Sequence, residues 1–269
     1  TSSRRDYLDF KKKETLMTQD IYLVILVLIL ATSLPIFVVC FWRPGSYGRH
    51  ASADVKFTVP VRASWLIMEV PAVLSFLYFY LSGPNRSEPV ALLLLGMWLL
   101  HYVHRALIYP LQLRPRPGAG NSLRTTIEGG LYCTANGFIN GYWIGHLADF
   151  AGAATLQDPR LLLGVAIFAF GFALNKHSDS VLLSLRKDSP GQYLIPYGGA
   201  FRWVSSPNYL GEILTWLGFA IACWSLPALS FLLFTCANLI PRAVLNHRWY
   251  NRYFTDYPVQ RKAIIPSFL

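Results

Sequence analysis

From Ile21 to Trp42 the chain carries no charged side chain. A lipid-length apolar segment has no water to satisfy its backbone, so it must close its own hydrogen bonds as a helix. Further apolar stretches follow, and membrane spans are expected at about 20–42, 64–82, 88–110, 128–149, 159–183, 207–223 and 226–246. Charged residues make up only 14% of the chain, against about 25% in average soluble domains, while 54% are hydrophobic. The expected fold is therefore an all-α membrane protein with seven transmembrane helices. Residues 20–269 form a single domain behind a tail at 1–19, and because Met17 directly precedes the first span, the tail reads as added sequence or an alternative upstream start.

Basic residues concentrate in cytoplasmic loops. Connections after the first, third, fifth and seventh spans, with their flanking helix ends, hold 17 of the 24 Lys and Arg residues, from Arg43 and Arg49 to Arg261 and Lys262. The opposite side holds Arg86, Arg160 and the five basic residues of the tail. This places the C-terminus in the cytoplasm and the N-terminus outside. The net charge of +10 is spread over loops and forms no dense stripe, which argues against nucleic acid and for anionic lipid and small-ligand phosphates. Cys40, Cys133, Cys223 and Cys236 show neither metal spacing nor a disulfide framework and read as packing residues.

Polar pairs at helical spacing interrupt the spans: Trp65 with Glu69, Tyr102 with Arg105, Asn175 with Asp179, Asn208 with Glu212, and Arg242 with Asn246. Residues three or four apart share a helix face, and ionisable groups within a span must pair or face a cavity. A polar chamber inside the bundle follows. Tyr102, Arg105 and Tyr109 are spaced to act in one pocket, and Asn175, Asp179 and Arg186 form a stripe at the cytoplasmic end of the fifth span. Arg242, Asn246 and Tyr250 point inward on the last helix, whereas Arg248 and Arg252 fall toward lipid head groups. Lys176 and Lys187 read as snorkelling to the interface. His101 and His104 lack the Glu or His partners of a zinc site, so no metal is expected.

Two arginines, amides, carboxylates and aromatic rings meet the needs of a dinucleotide. No G-x-G-x-x-G follows a strand, so such a site would be built from helix faces. Three turn-rich connections on the cytoplasmic side, Arg43–Val61, Leu113–Asn121 and Asp188–Pro207, are long enough to serve a ligand entering from there.

The segments RASWLIMEVPA, LLHYVHRALIYP, LNKHSDSVLLSLRK, IPYGGAFRWVSSPNYLGEILTWLGFA and NHRWYNRYFTDYPVQRKAIIP, spread over Tyr47–Pro266, resemble the steroid 5α-reductases, the membrane 3-oxo-5-steroid 4-dehydrogenases. The resemblance implies seven helices, NADPH as reductant and a 3-oxo-Δ4 steroid drawn from the bilayer. It implies that Glu69 and Tyr102 hold and polarise the 3-oxo group beside Trp65, and that Asn175, Asp179, Arg186, Tyr193, Asn208, Glu212, Arg242, Asn246 and Tyr250 bind NADPH. The chain departs from the family at Asn246, often histidine in mammalian relatives, at Leu194 and at Ser267.

The residues suit that chemistry on their own terms. Hydride delivery to the β carbon of an enone builds charge on the carbonyl oxygen, which preorganised donors stabilise. Tyr102 supplies a phenol, and Glu69, flanked by Trp65, Leu66, Met68 and Val70, supplies a carboxyl that apolar surroundings keep protonated. Alternatives are a related reductase of sterol-ring or enoyl-thioester double bonds, a membrane methyltransferase, and a transporter, which would more often show inverted repeats. No obligatory protein partner is implied. The host membrane, bacterial inner membrane or endoplasmic reticulum, is left open.

Overall fold

A computed structural model describes residues 2–42, 57–115, 118–150, 156–188 and 192–269, with side chains from residue 16 onward except at 188. The helices are α1 (Ser2–Cys40), α2 (Val61–Leu81), α3 (Pro89–Val103), α4 (Tyr109–Gln112), α5 (Leu123–Tyr142), α6 (Pro159–Asp188), α7 (Pro207–Cys223) and α8 (Leu226–Tyr253). A π turn, His104–Ile108, joins α3 to α4 within one continuous span, and a second, Trp143–Leu147, extends α5. Every expected span thus has a helix, though α1 reaches back through the tail and α8 runs seven residues past the expected 246. Of the expected loops, residues 43–56, 116–117 and 189–191 lie outside the described residues.

Five of these helices are long and apolar enough to cross a membrane, which makes this a multi-pass membrane protein: Leu16–Cys40, Val61–Leu81, Pro89–Gln112, Pro159–Lys187 and Leu226–Tyr253. The other two expected spans fall short of that length or apolarity for physical reasons. α7 has only 17 residues, and α5 carries Asn136, Asn140 and Glu128 along its length. The all-α expectation also omits a small antiparallel ribbon, β1 (Thr58–Pro60) against β2 (Gly120–Ser122), which ties the start of α2 to the start of α5.

Local sequence fixes where helices begin. Prolines open α3, α6 and α7, where the missing N–H costs nothing. Between α7 and α8, Trp224 adopts the left-handed conformation and the Ser225 side chain accepts from the Ala228 amide, so the two helices turn back on each other in a few residues.

Two helix couples position the chemistry. Gly164 and Gly171 of α6 press on α7 while Gly211 and Gly218 of α7 press on α6, each so closely that a Cβ would strike the opposing backbone. Small residues at such spacing are what lets membrane helices pack backbone to backbone. Gly137 and Gly141 of α5 do the same against Ala72 and Phe76 of α2. An aromatic core of Phe76, Trp98, Trp216, Phe219 and Phe231 fills the space between the couples. On the outer side, Tyr22, Leu26 and Ile29 of α1 pack on Phe138, Ile139 and Tyr142 of α5.

Candidate functional site

The α6–α7 couple brings its polar residues into register. Asn175 Nδ2 donates to the Asn208 carbonyl at 2.8 Å and to Glu212 Oε2 at 3.0 Å, and Asn208 Nδ2 donates to Asp179 Oδ1 at 3.2 Å. Glu212 Oε1 lies 3.1 Å from His101 Nε2 and accepts from Trp216 Nε1 at 3.2 Å. Asn175 Oδ1 and Asp179 Oδ2 are buried acceptors without a hydrogen-bond partner among the described residues. Buried acceptors are normally satisfied, so these two are available to a ligand's donors.

Beside this network lies a cavity of about 450 Å3. Eight of the expected site residues line it: Trp65, Asp179, Arg186, Tyr193, Asn208, Arg242, Asn246 and Tyr250. Asn175 and Glu212 sit behind that wall, joined to it through Asn208. Arg242 Nε donates to Tyr209 Oη at 3.1 Å, and Asn246 Nδ2 reaches Ser206 Oγ at 3.4 Å. Leu194, a departure from the family pattern, also lines the cavity, while Ser267 takes a positive φ of 64° in the C-terminal turn. That terminal segment braces the cavity wall: Ser205 and Ser206, which line the cavity, donate backbone N–H groups to the Lys262 and Ala263 carbonyls. Ser205 Oγ lies 2.7 Å from Tyr257 Oη. Burial pushes the Tyr257 phenol above its ordinary range, with Ser205 and Arg261 pulling the other way.

Glu69 and Tyr102 lie outside the cavity lining, on its inner side. Arg105 connects the two regions. It lines the cavity, its guanidinium stacks on Trp65 at 4.3 Å and Tyr109 at 5.0 Å, and its Nε comes 3.6 Å from Glu69 Oε1. Glu69 Oε2 is 3.9 Å from the Cys133 thiol, and Tyr102 Oη accepts from Asn136 Nδ2 at 3.4 Å. Cys133 and Asn136, three apart on α5, therefore hold the expected pair from one helix face. The surroundings of Glu69 are less apolar than its sequence neighbours imply, because a guanidinium from another helix reaches it. The common pocket expected for Tyr102, Arg105 and Tyr109 is likewise divided. The π turn begins between Tyr102 and Arg105 and adds a residue to the turn, so Arg105 and Tyr109 face the cavity while Tyr102 packs among Trp98, Trp216 and Phe231.

Lys176 corrects another expectation. It does not reach for the interface: its Nζ lies 3.0 Å from His104 Nδ1 and 5.2 Å from the Phe172 ring. Arg248 and Arg252 are exposed, as expected of residues turned away from the site. Sequence reasoning missed Cys133, Asn136 and Tyr209. Only Asn136 left a usable trace, as one of two asparagines four apart in an apolar stretch.

Residues 119–269 match the family model described as 3-oxo-5-alpha-steroid 4-dehydrogenase. The chain belongs to that family. It is 40% identical over 255 residues to steroid 5-alpha-reductase DET2 of Solanum lycopersicum, covering 92% of this chain and 97% of the relative. It is also 40% identical over 222 residues to human 3-oxo-5-alpha-steroid 4-dehydrogenase 1, covering 82% of this chain and 85% of the relative. Identity to the human type 2 protein is 38% over 232 residues, 83% of this chain and 88% of the relative. Matches of this length run across all the helices that build the site, so the protein is an oxidoreductase of this family by more than its C-terminal half.

Proposed function

We propose that the protein reduces the C4–C5 double bond of 3-oxo-Δ4 steroids to 5α-dihydro steroids, with NADPH as the electron donor. The observation that carries this reading is the continuity of two sites through one side chain: Arg105 lines the polar cavity and reaches Glu69 at 3.6 Å. A cofactor held in the cavity would thereby lie next to a polarising pair.

The donor set fits that cofactor. Arg186 and Arg242 suit phosphates as charge-assisted donors, the unfilled acceptors of Asn175 and Asp179 suit amide and ribose hydroxyl hydrogens, and Trp65, Tyr109, Tyr193 and Tyr250 offer rings for stacking. When bound, NADPH supplies a hydride, two electrons and one proton equivalent, to carbon 5 of the steroid. The chain's own residues do the rest. Tyr102 donates to the 3-oxo oxygen as enolate charge grows, Glu69 contributes a second contact there, and Arg105 holds Glu69 in place. A proton then adds at carbon 4, so the double bond takes up one hydride and one proton.

In this reading all seven long helices span the bilayer, with the cavity and the C-terminus on the cytoplasmic side and the N-terminus outside. NADPH cannot cross hydrocarbon and enters from the cytoplasm, whereas the steroid partitions into lipid and enters laterally near Trp65 and Glu69. Anionic lipid head groups meet Arg248 and Arg252. Purified protein incubated with a panel of 3-oxo-Δ4 steroids and either NADPH or NADH tests the proposal. NADPH-dependent 5α-dihydro product is expected, and well-folded protein that leaves the whole panel unreduced would refute it.

A further inference from the structure

Tyr132 lies on α5, outside the residues that line the cavity. Its ring stacks on Phe234 of α8, centroids 3.8 Å apart and 14° from parallel, and lies 6.4 Å from Phe231. Phe231 in turn stacks on Tyr102 at 6.3 Å, so both tyrosines pack against the same ring of α8. Along α5, Tyr132 precedes Cys133, whose thiol approaches Glu69. It lies one turn before Asn136, which donates to Tyr102. The Tyr132 hydroxyl is buried without a hydrogen-bond partner among the described residues.

A phenylalanine would supply the same stack. A buried phenol normally finds a partner for its O–H, and here its neighbours along α5, Cys133 and Asn136, are the residues that hold the pair assigned to the substrate carbonyl. We propose that Tyr132 donates its hydroxyl hydrogen to the steroid's 3-oxo oxygen, as a third contact beside Glu69 and Tyr102. This rests on the placement of the steroid's 3-oxo group at Glu69 and Tyr102. With three groups converging, the site selects an oxygen at carbon 3 more strongly than the pair would alone.

The test compares binding of a 3-oxo-Δ4 steroid with that of its 3-deoxo analogue, using protein saturated with NADP+. The wild type is expected to prefer the 3-oxo ligand. Tyr132→Phe should weaken that ligand by about fivefold, the worth of one hydrogen bond, leave the 3-deoxo analogue and NADP+ unaffected, and lower the reduction rate. Phe234→Leu, which removes the stack and keeps the phenol, should preserve the preference. Equal losses for both ligands in Tyr132→Phe would mean packing only, and an unchanged preference would mean no contact; either overturns the assignment of Tyr132 and leaves Glu69 and Tyr102 standing. A wild type indifferent to the 3-oxo group would overturn both.

Discussion

At the scale of single residues, Arg105 decides how the site is divided. Its guanidinium, set against the edge-to-face pair of Trp65 and Tyr109, ends the cavity and begins the polarising region. Loss of the Tyr102 phenol removes a donor to the growing enolate, so Tyr102→Phe should lower the reduction rate roughly 100-fold with NADPH affinity retained. Glu69→Gln keeps an amide donor and should retain part of the activity. Steady-state rates alongside cofactor titration check both, and wild-type turnover in Tyr102→Phe would remove that residue from the mechanism. Truncating Arg186 or Arg242 should instead weaken NADPH binding by about 2–3 kcal/mol, the worth of a desolvated charge-assisted contact. Direct cofactor titration reads that loss.

The polar residues at and behind the cavity wall are legible because a polar group in an apolar run has few explanations. Asn175, Asp179, Asn208 and Arg242 announce themselves by spacing alone. Cys133 and Tyr132 do not, since a thiol and an aromatic ring are ordinary packing residues until the fold sets Glu69 beside the one and buries the hydroxyl of the other without a hydrogen-bond partner among the described residues. Lys176 misled for the opposite reason: its place near a helix end fits snorkelling, and only the approach of His104 from another helix shows its actual contact.

At the scale of elements, the length of the apolar runs located every long helix but could not show how they are joined. The π turn at His104–Ile108 has no apolar period of its own, yet it determines that Arg105 turns to the cavity and Tyr102 to the core; π turns within helices often mark functional sites. The glycines at 164, 171, 211 and 218 explain why α6 and α7 hold Asn175 against Glu212. Gly211→Val would drive a side chain into the α6 backbone beside Asn175. We expect a loss of stability of about 1–3 kcal/mol or more, with NADPH affinity falling as the Asn175–Glu212 contact opens. Thermal melting with and without cofactor checks this. Gly96→Ala, at a position with open space around it, should change neither and serves as the control.

At the scale of the whole molecule, the basic residues predict which way the bundle faces. In protein lacking its four native cysteines, Cys introduced at exposed Arg202 should react with a membrane-impermeant thiol reagent only from the cytoplasmic face. Cys introduced at Arg86 should react only from the other. Labelling in sealed vesicles of known orientation gives the answer, and reversed labelling would invert the topology. The most direct measurement of the central claim follows the hydrogen itself. NADPH carrying deuterium at the transferred position of nicotinamide carbon 4 is incubated with a 3-oxo-Δ4 steroid, and the product is analysed by mass and stereochemistry. The expected product is a 5α-dihydro steroid with that deuterium at carbon 5 and a solvent-derived hydrogen at carbon 4. Deuterium at any other carbon, or a 5β product, would contradict it.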